Sequence, residues 1–341
     1  MSEETKPFCV LPFLSLTTDP FGSVSPCCWN QNYRLGDAQK ESLLDIWNNE
    51  KMQSLREEFL SGNIQSCATQ IRHMKCHQFF KGLLPMVDKS VVQKKGPRKL
   101  DLRLNGKCNL ECQMCTVWKQ PNGTYEESDL WTRGPKEIFP YLIEVDILGG
   151  EPFVQKDTYR LIREVSQANP KCRWAFVTNG HWAFSQAVRK HLDMVIIRWV
   201  QLSIDSLDPA NYAAIRKKGQ LHVCLKNLDD WIEYRKDINY VPFSITISVC
   251  VQRDNWHEIP EFVEFAYEKD IFLSLQYTYD PDWHSLTPLP EEERRRIYEF
   301  LARIPNDPPR INMDPVLIPL RETFTKSKEP LPDSKPSTLH L

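Results

Sequence analysis

From Lys99 onward, short β-rich runs alternate with amphipathic stretches, a rhythm that predicts successive βα units around a parallel sheet. The predicted strands are Lys99 to Asn105, Val145 to Leu148, Trp174 to Thr178, Val200 to Ile204, Phe243 to Val251 and Phe272 to Tyr277. Each leads into a loop carrying polar or glycine residues. Between them Tyr159, Ile162 and Val165 share a helical face closed by Asn169-Pro170, and Phe262, Val263, Ala266 and Tyr267 follow Pro260 on another. A further helix is expected from Glu291 to Arg303, opening after Pro290 with Ile297, Phe300 and Leu301 on one side.

Residues 1–83 read differently. Gly22 and Pro26 suggest a turn between short strands, and a helix presenting Met52, Leu55 and Phe59 ends at Gly62. This segment is expected to be a separate small α+β domain. Residues 84–98, mixing Pro, Lys and Gly, are the expected linker, residues 99–310 the main α/β domain, and residues 311–341 an extension whose polar tail from Lys326 is disordered.

Composition narrows the function classes. The chain has 341 residues, enough for about two domains with real cores. With 43 Lys and Arg against 45 Asp and Glu and no block of one sign, it lacks the basic footprint of a nucleic-acid binder. Its most apolar stretch, Met194 to Ile204, is broken by Arg198 and Gln201 and is too short for a membrane span. The first residues have no basic start or apolar centre of a secretory signal, so a reducing cytoplasmic location is expected. There, 11 cysteines call for an explanation other than disulfides.

Cys108, Cys112 and Cys115 form a tight group on the loop after the first predicted strand. Thiolates suit zinc or iron–sulfur centres, but a closed structural zinc site takes four protein ligands and only three stand together here. Three thiolates on a four-iron cubane leave one iron open to a cofactor, and strand C-terminal ends are where a βα barrel builds its active site. This CxxxCxxC loop resembles that of the radical S-adenosylmethionine (SAM) superfamily, whose fold is a partial (β/α)6 barrel. Gly149-Gly150-Glu151-Pro152 after the second strand resembles the family's GGEP segment, which implies contact with the amino group of SAM. There glycine permits close approach and the Glu carboxylate can accept from an ammonium. Asn179 in Thr178-Asn179-Gly180, Ser203 and Asp205 in Ser203-Ile204-Asp205, and Arg216 resemble positions that contact the ribose and carboxylate of SAM. Met114 stands where the family often has an aromatic residue, which changes packing over the cluster and removes no ligand.

Cys9, Cys27-Cys28 and Cys67, spaced by Gly22, Trp47, Arg56 and Gly62, resemble the twitch domain, the shorter relative of the SPASM domain that carries an auxiliary iron–sulfur cluster. In that branch it usually follows the barrel; here it precedes it. The family's closing CxxC is interrupted, since Gln70 stands three residues after Cys67. The resemblance implies Cys9, Cys27 and Cys67 as ligands of a second [4Fe–4S] cluster, with Cys76 the first choice for a fourth and Cys28 expected to be spare, or with the fourth iron left open to bind substrate. A zinc site using Cys76 with His73 or His77, and a domain that has lost its cluster, stay open as alternatives.

Cys172, Cys224 and Cys250 stand alone and read as small buried hydrophobes. The eight histidines show no metal-binding spacing, and no GxGxxG or P-loop is present. Tyr277, Tyr279, Asp280, Trp283 and His284 lie where a barrel would face substrate, or are ordinary rim residues, and Asn255 is expected to cap the helix that follows. The resemblance implies an enzyme that uses a [4Fe–4S] cluster to cleave SAM reductively and abstract hydrogen from a peptide or small molecule, with flavodoxin or ferredoxin as reductant. The alternatives are a small-metabolite dehydrogenase or epimerase of the same superfamily and a non-enzymatic zinc-binding scaffold. No catalytic acid or base is assigned.

Overall fold

The computed structural model describes residues 8–67 and 80–325. Among the described residues ten strands form one sheet: β1 Ser15–Thr18, β2 Ser23–Ser25, β3 Gly36–Asp37, β4 Lys99–Leu102, β5 Glu144–Ile147, β6 Arg173–Thr178, β7 Ile196–Ser203, β8 Ser244–Val251, β9 Phe272–Tyr277 and β10 Ile311–Asn312. Their order is β10-β9-β8-β7-β6-β5-β4-β1-β2-β3, parallel from β4 through β10. All six predicted strands are present, β9 with its predicted ends. Helices Lys156–Ala168, Gln186–Leu192, Leu221–Asp237, Ile259–Glu268 and Glu291–Leu301 follow successive strands as crossovers.

The strands alternate in a way that a fully covered parallel sheet does not. On β8, Ile245, Ile247, Val249 and Val251 enter the core, and Ser244, Thr246, Ser248 and Cys250 take the opposite face. On β4, Leu100 and Leu102 are core residues, and Lys99 and Asp101 take the same face as those polar residues. The inner, concave side of the sheet is therefore a polar lumen. Near the strand starts its charges neutralise one another. Lys99 pairs with Asp146 and, at 3.5 Å, with Glu144; Arg198 reaches Asp146 at 2.7 Å and Arg173 reaches Glu144 at 2.7 Å.

The N-terminal segment joins the main sheet: β1 pairs in parallel with β4, setting Ser15 beside Lys99 and Thr17 beside Asp101. Phe13, Leu16, Val24, Ile46 and Trp47 belong to the same continuous core as the barrel strands. The reason is that β4 would otherwise leave an open row of backbone donors and acceptors, which β1 satisfies. Residues 84–98, the expected linker, are held to this segment by side-chain bonds. The buried Arg56 on helix Glu50–Ser61 donates to Pro12 O at 2.8 Å, Trp47 O at 2.7 Å and Val91 O at 2.7 Å, tying that stretch to the N-terminal segment.

The extension also holds more structure than its polarity suggested. Ile311–Asn312 joins β9, and helix Asp314–Thr325 buries Val316 and Leu320. The predicted tail from Lys326, together with Gln70, His73, Cys76 and His77, lies outside the described residues. Among the described residues no helix is long and apolar enough to cross a membrane.

Candidate functional site

The cysteine loop leaves β4 through Arg103 to Lys107 and is held from outside by backbone bonds. Glu111 N donates to Lys217 O at 3.1 Å and Gln113 N to Ile215 O at 2.9 Å, while Leu110 anchors the loop in the core. These bonds seat it over the segment that follows helix Pro209–Ile215. Donors are aimed at all three sulfurs. Leu110 N reaches Cys108 Sγ at 3.4 Å, Val117 N reaches Cys115 Sγ at 3.4 Å, Arg216 Nη1 reaches Cys112 Sγ at 3.7 Å, and Asn179 Nδ2 adds a longer contact to Cys108 at 3.6 Å.

Burial pushes the Cys108 thiol up, with the Leu110 N–H opposing it and Glu151 and Cys115 adding to it. Burial likewise pushes Cys112 up to about 11, against the pull of Arg216 and with Asp205, Cys115 and Cys108 raising it further. The thiols thus lie within electrostatic range of one another, and their ionised forms repel. A cationic centre bound by all three relieves that repulsion, and N–H groups aimed at sulfur suit a thiolate-ligated cluster. Among the described residues no three His, Cys, Asp or Glu side chains gather as a single-ion site would. The all-sulfur donor set of the trio suits an iron–sulfur cluster.

The Gly149-Gly150 pair has a packing reason. Both residues have positive φ, +84° and +51°. A Cβ on Gly149 would meet Arg103 Cβ at 2.9 Å, and one on Gly150 would overlap the Lys107 carbonyl oxygen. The segment therefore nests directly against the base of the cysteine loop, where Glu151 N donates to Lys107 O at 2.9 Å. Pro152 begins the short turn Pro152–Val154 and is buried.

The Glu151 side chain is held by the backbone and side chains around it. Fully buried, its carboxylate accepts from Thr178 Oγ1 at 2.8 Å, Asn179 N at 2.6 Å and Phe153 N at 3.1 Å. It clamps the loop after β5 to the loop after β6. Burial raises its pKa to about 7, against the lowering effect of those hydrogen bonds.

Asp205 likewise turns inward. It is fully buried, pairs with Arg216 Nη2 at 2.7 Å, and accepts from Cys250 N at 2.8 Å. Burial raises the Asp205 pKa and Arg216 lowers it; burial lowers the Arg216 pKa, but Asp205 and Cys112 carry it above its ordinary value. The pair positions a guanidinium at Cys112. Ser203 ends β7 half-buried, and Asn179 also donates to Asn109 Oδ1 at 2.9 Å.

In the N-terminal segment Cys9, Cys27 and Cys67 pack against the common core. Asn30 Nδ2 donates to Ser66 O at 3.1 Å, joining the turn after Cys27 to the residue before Cys67. The Glu58 carboxylate holds Gln65 N and Ser66 N. Cys28 instead hydrogen-bonds the Asp101 carboxylate on β4.

Several functional candidates escaped the sequence reading. Cys250, taken for a solitary hydrophobe, lies within electrostatic range of Cys112 and Cys115. At the ends of β8 and β9, Gln252 is completely buried with neither amide atom partnered, and the buried Thr278 hydroxyl is also unpaired. At the end of β4, Asp101 Oδ1, Arg103 Nε and Thr17 Oγ1 are buried and unpaired. The available signal was the polar residues at alternate positions of runs such as Ser244 to Val251. Of the rim candidates Tyr277 joins the core and Trp283 is exposed, while Asn255 stands at the N-cap of the turn Trp256–Glu258 without a side-chain cap bond. The Asn255 amide instead donates to Asp205 O at 2.8 Å and Cys250 O at 3.0 Å.

A parallel α/β sheet with a thiol trio on the loop after its first crossover strand defines an iron–sulfur protein. Sequence comparison is specific about which. The Radical SAM superfamily profile matches residues 102–266, and an iron–sulfur cluster-binding domain of the SPASM type matches residues 9–76. The chain belongs to the radical SAM superfamily, in its SPASM-type branch. The cofactors of these domains are a [4Fe–4S] cluster and SAM, with an auxiliary iron–sulfur cluster in the N-terminal segment.

Among curated relatives, a GTP 3′,8-cyclase of Marinobacter nauticus is 30% identical over 132 residues, 39% of this chain and 38% of the relative. One from Vibrio vulnificus is 25% identical over 196 residues, 54% and 55%. The chain spans about half or less of the length of these relatives. Among solved structures, Streptococcus suis SuiB bound to precursor peptide SuiA aligns at 16% identity and TM-score 0.45 over 86% of this chain and 69% of that one. The methyltransferase TsrM of Kitasatospora setae, with cobalamin and [4Fe–4S] cluster bound, aligns at 15% identity and TM-score 0.38 over 63% and 39%.

Proposed function

We propose that this chain is an enzyme that cleaves SAM reductively and abstracts hydrogen from a polar substrate held in the lumen. Cys108, Cys112 and Cys115 would hold the cluster, whose chemistry there would be one-electron reduction of SAM. The observation that carries this reading is the set of donors on all three sulfurs, the Arg216–Cys112 contact above all.

The protein's own contribution is placement. Gly149 and Gly150 bring backbone to the cysteine loop, Glu151 locks that backbone to Asn179, and Asp205 holds Arg216. Gln252 and Thr278 on one side of the lumen, with Asp101, Arg103 and Thr17 on the other, offer unpaired donors and acceptors. Buried polar groups without partners are costly, so a polar ligand that satisfies them is bound selectively. In the N-terminal segment Cys9, Cys27 and Cys67, with Cys76, are the proposed auxiliary ligands. We place the enzyme in the cytoplasm.

Peptides and small metabolites both present such groups. The names of the curated relatives favour a small polar metabolite as the second form of the reading.

Anaerobic incubation of reconstituted protein with SAM and dithionite tests the proposal. Formation of 5′-deoxyadenosine and methionine is expected, and deuterium passing from a candidate substrate into 5′-deoxyadenosine identifies the substrate. A reconstituted, iron-loaded protein that releases neither product would refute it.

A further inference from the structure

We infer that the outer face of the cysteine loop is the docking surface for an acidic one-electron donor protein, centred on Lys107, Lys217 and Lys218. This rests on the functional reading above, because it concerns how electrons reach the site.

The whole chain is slightly acidic, with a formal charge of −2, yet the rim of this loop is basic. Lys107 immediately precedes Cys108, Lys119 follows Cys115 by four residues, and Lys217 and Lys218 form the segment against which the loop is built; all four are exposed. Lys217 presents its carbonyl inward to Glu111 N at 3.1 Å. Lys218 holds a left-handed backbone, φ 70°, rare for a residue with a side chain, and pairs with Glu111. Strain of this kind persists where the surroundings enforce it, here at the turn that carries two cations past the cysteines.

The anions on this face are Glu111, taken up by Lys218, and Asp254, which accepts from Gln113 Nε2 at 3.0 Å and faces His284 at 3.8 Å. Among the described residues the ammonium groups of Lys107 and Lys217 have no ion-pair or hydrogen-bond partner and are free to meet a partner's carboxylates. Behind them lies a direct path. Arg216, next to Lys217, touches Cys112 Sγ, and Trp118, over which Lys119 lies at 5.0 Å, donates to Cys115 O at 2.9 Å. A rim of like charge beside the centre to be reduced raises encounter rates with an oppositely charged donor and fixes its orientation.

Binding of oxidised flavodoxin and of a [2Fe–2S] ferredoxin to the reconstituted enzyme, by biolayer interferometry at low and high salt, tests this directly. K107E/K217E is expected to weaken binding at least about tenfold at low salt and to flatten its salt dependence. A second double variant, K119E/K218E, is expected to act in the same direction. Cleavage of SAM driven by the protein donor should fall with binding, and by a larger factor than dithionite-driven cleavage by the same variant. Unchanged binding of both donors by both variants overturns the docking surface. Absence of dithionite-driven cleavage in the wild type overturns the functional reading instead, and the binding measurements still decide the surface.

Discussion

The Arg216 guanidinium joins the fully buried Asp205 carboxylate at 2.7 Å and reaches Cys112 Sγ at 3.7 Å. One cation therefore serves both the barrel interior and the cysteine loop. Removing it strands a buried carboxylate, so Arg216→Met is expected to destabilise the protein by about 3–5 kcal/mol. The double variant D205N/R216M should lose less than R216M alone, because no charge is left unpaired. Anaerobic denaturant unfolding measures both, and equal losses would show that the pair is not coupled.

Glu151 predicts a pH dependence. Its pKa, raised by burial from 4.5 to about 7, means that the unfolded chain ionises it first. Between those values the unfolded state binds fewer protons, so the Glu151 contribution becomes less favourable as pH rises, by ~3 kcal/mol in all, and is level above the folded pKa. Glu151→Gln should remove this slope. Unfolding free energies of both proteins from pH 4.5 to 7.5 decide the matter, and identical slopes would contradict it.

Gly150→Ala should cost more than about 1 kcal/mol, since φ is +51° and the new Cβ overlaps the Lys107 carbonyl. Because that carbonyl belongs to the base of the cysteine loop, SAM affinity should fall along with thermal stability. Unaltered SAM binding by equilibrium dialysis would separate the glycine segment from the cofactor site.

Much of the frame was legible in the sequence because each crossover strand and its helix carry local signals. The six strands follow β-rich runs, and helix Glu50–Ser61 ends where Gly62 takes φ 74°. Spacing alone revealed Cys108, Cys112 and Cys115. Partnerships between distant segments left no local mark. Nothing near Ser15 announces pairing with Lys99, and nothing near Cys250 announces the company of Cys112. Glu151 and Asp205 were found as residues, but their partners, Thr178, Asn179 and Arg216, are brought to them by the fold and left no local mark. The polar lumen was present as alternation in runs such as Ser244 to Val251, where β-richness masked it.

The two adjacent N-terminal cysteines should behave differently. Cys28 hydrogen-bonds Asp101 on β4, so Cys28→Ala should leave iron content unchanged. Cys27→Ala should remove about half of the iron, the share of one of two equal clusters. Iron and sulfide analysis after reconstitution distinguishes them, and equal losses would place both thiols on the cluster.

The most direct test is electron paramagnetic resonance of the reduced, reconstituted protein with and without SAM, paired with the same measurement on C112A. The wild type is expected to show a reduced [4Fe–4S] signal that changes when SAM is added, a response C112A lacks. A protein that takes up stoichiometric zinc and no iron, or a cluster signal indifferent to SAM, would contradict the assignment of the three-cysteine loop.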